Sequence, residues 1–128
     1  MDRTRTFLFL ASIAIGTAAC GSDSPSSPSG GNDGTVAATL TITATGITPK
    51  SVTVPIGSRV TIINNDTKNH DMNSDPHPEH TQCPSLNVGV LTQGQSRTSQ
   101  NLTTARSCGM HDHLDSDNAL WKTTIIVQ

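Results

Sequence analysis

The sequence predicts an all-β sandwich or barrel. Short runs rich in Val, Ile and Thr recur along the chain, and the first of them alternates apolar with polar residues. Gly, Pro or Asn punctuates the chain between those runs. No segment carries a convincing helical period, and no repeat is visible. Many short strands separated by turns are the pattern of sandwiches and barrels.

The elements follow in order. Ala38 to Ala44 alternates cleanly and reads as a half-buried strand. Gly46 to Pro49 reads as a turn. Ser51 to Pro55 is a short strand whose Pro suits a strand end or edge. Gly57 is the next turn, and Arg59 to Asn64 is a third strand, stopped by Asn65 and Asp66. From Lys68 to Pro84 the periodicity vanishes among three Pro, three His and a Cys. A loop of that length inside a small domain is usually functional or disordered. Leu86 to Leu91 reads as a short strand and Gly94 to Ser96 as a turn. Arg97 to Leu102 and Thr103 to Cys108 read as strands flanking a bend. His111 to Asn118 is a polar loop, and Lys122 to Val127 is a strongly β-favouring last strand.

The organisation has three parts. Positions 1–19 read as an export signal: Arg3 and Arg5 supply charge, and the apolar run Phe7 to Ile15 is too short for an ordinary spanning helix. Thr17-Ala18-Ala19-Cys20 resembles the lipobox of bacterial lipoproteins, which implies lipidation at Cys20 and a cell-envelope (periplasmic) location on a membrane anchor. Ordinary secretion, with Cys20 removed or left as a thiol, is the alternative. Positions 20–35 are Ser, Gly and Pro with little to bury, so a flexible linker is expected. The folded domain is then 36–128. Both Phe residues fall in the signal, Tyr is absent, and Trp121 is the one aromatic left for the core. A small aliphatic core leaves little stability in reserve, and such domains often add a metal or a disulfide.

From Cys20 onward nine acids face six Lys and Arg, with no basic stripe, so nucleic acid is excluded as a partner class. The chain has no Ser nucleophile motif, no Gly-rich phosphate loop and no His-Glu-x-x-His helix, so no enzymatic activity is expected.

What stands out is histidine. All five (His70, His77, His80, His111, His113) lie within 44 residues, together with Cys83 and Cys108. Lone histidines are usually solvated or structural, but this density with a Cys points to a metal. His70, Cys108 and His111 form a soft nitrogen-and-sulfur set that suits copper, with His113 next in rank and His77 and His80 behind. Asp112 either orients a ligand imidazole or is a surface acid.

Three stretches resemble the cupredoxins, the plastocyanin-like small copper proteins. They are Ile47 to Gly57 with Val60 to Asp66 and His70; Leu91 to Ser96; and Cys108-Gly109-Met110-His111 with the closing strand Lys122 to Val127. The resemblance implies a Greek-key β-sandwich or barrel, a copper ion on His70, Cys108 and His111, and electron transfer with a partner redox protein. It breaks at the axial ligand: Trp121 stands where that family places Met, and Met72 is another soft donor or a core gap-filler.

Two further arrangements stay open. In an oxidising compartment Cys83 and Cys108 can form a disulfide, leaving a histidine-dominated copper site for storage, delivery or tolerance. Alternatively, His80-x-x-Cys83 and Cys108-x-x-His111 are mirror-image pairs that can close a structural zinc tetrahedron.

Overall fold

The computed structural model describes residues 34–128. The expected signal, the lipidation site Cys20 and the linker lie outside the described residues, except for Gly34 and Thr35. These two are already fastened to the domain. Gly34 N–H donates to Asn101 Oδ1 (3.0 Å), and Arg59 N–H donates to the Thr35 carbonyl (3.0 Å).

Nine strands occur among the described residues: β1 (Val36–Thr43), β2 (Gly46–Thr48), β3 (Ser51–Val54), β4 (Arg59–Asn64), β5 (His70–Ser74), β6 (Gly89–Leu91), β7 (Ser96–Thr98), β8 (Arg106–Asp112) and β9 (Thr123–Val127). They make two sheets, ordered β2-β1-β4-β7 and β3-β9-β8-β5-β6. The β1–β4 and β3–β9 pairs are parallel and the others antiparallel. No α-helix occurs among the described residues; three single 3-10 turns do, at Pro84–Leu86, His113–Asp115 and Ala119–Trp121. This is the all-β sandwich that the sequence predicts.

The core between the sheets is aliphatic. Leu40, Ile42, Ile47, Val60, Ile62, Leu86, Leu91 and Ile125 are fully enclosed. Met72 and Met110 fill the gaps between them. Strand β4 shows how the sequence builds this layer: Val60, Ile62 and Asn64 are buried while the residues between them are half-exposed, the period of two expected of a pleated strand.

Several local expectations change. The strand expected over Leu86 to Leu91 is only Gly89–Leu91, and that over Arg97 to Leu102 is Ser96–Thr98. The strand expected over Thr103 to Cys108 is Arg106–Asp112, which runs through His111, where the sequence predicts a loop. Gly46–Thr48 is a strand, paired back onto β1, with Ile47 buried opposite Ile42. The long stretch after Lys68 opens with a strand, β5, whose polar residues hide the β pattern. His70, Asn73 and Ser74 are buried, so polarity there does not mark the solvent side.

Candidate metal centre

Strands β5 and β8 lie side by side, with Met72 opposite Asp112, Asn73 opposite His111 and Ser74 opposite Met110. Successive residues of a strand face opposite sides of the sheet. Cys108, Met110 and Asp112 therefore share the inner face with His70, Met72 and Ser74. His111 shares the outer face with Gly109 and Asn73. A Cys and a His three residues apart on one strand point away from each other, and so do His70 and His111.

The outer face gathers four imidazoles. His111 is supplied by β8 and His113 by the 3-10 turn that follows it. His77 and His80 come from the loop after β5. Donor atoms of His80, His111 and His113 all lie within 4.8 Å of one another. The His77 ring centroid is 4.7 Å from that of His113 and 5.6 Å from that of His111, so the fourth imidazole borders the same space. His113 Nδ1 and His80 Nε2 are 3.1 Å apart, within hydrogen-bond distance.

The buried end of the cluster is the most telling. His111 Nδ1–H donates to Asp75 Oδ1 at 2.6 Å. Its other nitrogen, Nε2, is buried without a hydrogen-bond partner. Buried polar atoms nearly always have partners, and an exception calls for a reason such as an ion. Carboxylate–imidazole–metal is the usual chain of contacts at a histidine-ligated ion.

The loop is held in place by its backbone. His80 takes left-handed backbone (φ 54), uncommon for a residue with a Cβ. Its N–H donates to the Pro76 carbonyl (2.7 Å), and its own carbonyl accepts from Ser74 Oγ (3.1 Å) and Asn87 Nδ2 (3.0 Å). Burial pushes the His80 imidazole below its usual value, and the neighbouring His113, His111 and His77 push the same way. The lone pairs a metal needs are therefore easier to keep free of protons.

His70 stands apart from this cluster. Both its nitrogens face carboxylates, Nδ1 to Asp112 Oδ2 (2.8 Å) and Nε2 to Asp66 Oδ2 (3.1 Å), all buried. Each ring nitrogen therefore already has a buried carboxylate oxygen within hydrogen-bond distance, unlike Nε2 of His111. Its face lies against Trp121, with centroids 4.5 Å apart. The hydrogen bond from His70, with those from Thr67, holds Asp66 below the usual carboxylate range. Asp112 also accepts from Asp71 N (2.9 Å) and Leu114 N (3.0 Å), so this acid is a buried brace under the turn that carries His113.

Cys83 and Cys108 form a disulfide, with Cα atoms 5.9 Å apart. Cys108 therefore offers no thiolate to a metal, and the Cys2His2 zinc tetrahedron loses both of its sulfurs. The bridge instead fastens the histidine-bearing loop to β8.

No family model matches the sequence, and neither does any curated protein. Solved structures do match. A purple cupredoxin from Nitrosopumilus maritimus is 17% identical and superposes with a TM-score of 0.58, covering 71% of this chain and 99% of its own. Plastocyanin from Dryopteris crassirhizoma is 16% identical at a TM-score of 0.55, covering 70% and 99%. Auracyanin from Roseiflexus castenholzii is 14% identical at 0.53, covering 71% and 95%.

The fold is that of the cupredoxins.

Within this cupredoxin frame, the ligand set that the resemblance implied is dispersed. His70 is committed to two carboxylates, Cys108 to Cys83, and Met72 to the core; Trp121 packs on His70. His111 and His113 remain, joined by His77 and His80, which the sequence ranked last. Sequence reasoning missed Asp66, Asp75 and Gly109. The adjacency of Asp75 to the Pro-rich His77–His80 loop was the one available signal.

Proposed function

We propose that this chain is a copper-binding cupredoxin whose ion rests on imidazoles of His80, His111 and His113, with His77 at the open side. The observation that carries this reading is the buried, unpartnered His111 Nε2 beside two other imidazole donors. Nitrogen donors without thiolate favour Cu(II), which stands at the top of the divalent affinity order for such sites. That donor set suits capture, storage or delivery of copper better than a thiolate-type blue centre does. The signal-like N-terminus supports work at the cell envelope, on a lipid anchor at Cys20.

The test is a Cu(II) titration of the purified protein. One equivalent should bind with weak visible absorption and nitrogen hyperfine structure in the electron paramagnetic resonance spectrum. A Cys83→Ser/Cys108→Ser double variant should give the same spectrum. An intense visible band that vanishes in Cys108→Ser would overturn this ligand set, and uptake of zinc with refusal of copper would overturn the metal.

The fold favours a second reading, electron transfer with a redox partner protein. Amicyanin variants of this fold are described in a Cu(I) form, and a mutant fern plastocyanin in oxidised and reduced forms. A carrier keeps its copper through repeated reduction and re-oxidation, whereas a delivery module releases it on reduction. Cycling the loaded protein in the presence of a Cu(I) chelator separates the two.

A further inference from the structure

Asp75 sits at the point where β5 leaves the sheet. Its N–H donates to the Gly109 carbonyl (3.0 Å), and its carbonyl accepts from Gln82 N (2.8 Å). Gln82 Oε1 in turn accepts from Gly109 N (2.8 Å). The Asp75 side chain thus has a fixed origin although about half of it is exposed (47%). Its Oδ1 accepts from His111 Nδ1, and its Oδ2 occupies the space above Gly109. A Cβ at position 109 would fall 1.8 Å from Oδ2, a distance no two such atoms tolerate. Gly109 has no left-handed backbone to explain it. Its missing side chain is the slot that admits the carboxylate.

We infer that Asp75, seated in the slot over Gly109, is the positioning residue of the metal centre: it fixes His111 as the Nδ1–H tautomer and aims Nε2 at the ion. The inference rests on the histidine-cluster reading above. It makes Asp75 and Gly109 one device. The carboxylate selects which nitrogen stays bare, and the glycine lets the carboxylate reach it. Neither residue touches the ion.

Metal affinity and the tautomer of His111 are read on the same proteins. Affinity comes from competition titration of Cu(II), and the tautomer from long-range nitrogen–proton correlation spectra of the metal-free protein. Asp75→Ala should release the tautomer and weaken Cu(II) binding about 10- to 100-fold, the usual cost of losing such a partner. Asp75→Asn keeps an accepting oxygen, so it should hold the tautomer and lose less. Gly109→Ala should mimic Asp75→Ala by displacing the carboxylate.

The double variant Asp75→Ala/Gly109→Ala should bind no more weakly than Asp75→Ala alone, because coupled residues are non-additive. If Gly109→Ala costs the same affinity with or without Asp75, the slot idea is overturned, whatever general damage the alanine does. An unchanged tautomer and affinity in Asp75→Ala overturns the positioning role. Should the wild-type protein take up no copper while Asp75 still governs the tautomer, the metal reading fails and the positioning of the ring stands.

Discussion

Two histidine environments lie on opposite faces of the same pair of strands, and they have opposite chemistry. His70, on the inner face, has a buried carboxylate against each ring nitrogen and is covered by Trp121. The four imidazoles on the outer face have mostly one another for company, and His111 keeps a buried nitrogen with no partner at all. Residue type does not separate the two sets. What separates them is whether a lone pair is left over once the neighbours are satisfied. The first environment is a brace and the second is a receptor. They touch through Asp112, which accepts from His70 on one side and caps the turn of His113 on the other.

The largest effect should come from removing the receptor's buried ligand. His111→Ala should weaken Cu(II) binding by more than the ~10- to 100-fold typical of a residue that only supports a ligand. The same change at His70 should do the reverse: little loss of affinity per folded molecule but a large loss of stability. Taking His70 away leaves the buried Asp112 carboxylate short of a hydrogen-bond partner, a class of change that costs on the order of 1–3 kcal/mol. His70→Gln, which keeps one donor, should cost less and keep the protein folded for titration. If His70→Gln abolishes copper binding with its unfolding midpoint unchanged, the division between brace and receptor is wrong.

Next in size is the disulfide, which ties the receptor's loop to β8. It closes a loop of 25 residues. On the chain-entropy account that is worth about 3 kcal/mol, or roughly 10–25 °C in melting temperature for a domain of this size. Cys83→Ser/Cys108→Ser should lose that much in thermal unfolding. Its copper affinity should fall as well, because Cys83 no longer holds the loop of His77 and His80 against His111. An affinity equal to wild type would mean that backbone hydrogen bonds alone seat the loop.

The frame was legible in the sequence wherever alternation was clean. β1, β3 and β4 follow from apolar residues at every second position, and the strongly β-favouring closing strand starts one residue later than expected. β5 was not legible, because its buried positions are His, Asn and Ser, whose polarity is satisfied by a network that only the tertiary fold reveals. The metal face was half legible. Histidine density gave its neighbourhood, and His111 and His113 were among the candidates it named. His70 and Cys108 were grouped with them by sequence proximity and family likeness. Strand parity and the register of β5 on β8 put both on the other face, and neither can be read before the pairing is known.

The smallest effect expected is the pH dependence of the metal-free protein, and it separates the two environments by range. His80 is held below its usual value of 6.5, chiefly by burial. The unfolded chain therefore binds a proton there before the folded chain does, so this contribution to stability is intact above 6.5 and declines as pH falls below it. Asp66 is held below its usual 3.8, chiefly by the hydrogen bond from His70. Its contribution is intact above 3.8 and declines only as pH drops further. Denaturant unfolding across pH should show a first weakening in the imidazole range and a second in the carboxylate range. His80→Asn should flatten the first and spare the second, and Asp66→Asn the reverse. A single transition removed equally by either variant would show one coupled cluster where the geometry shows two. With copper present the first weakening should still begin near 6.5, where the unfolded chain takes up its proton, and should grow deeper, because the folded chain then holds the metal at His80 against protons to lower pH.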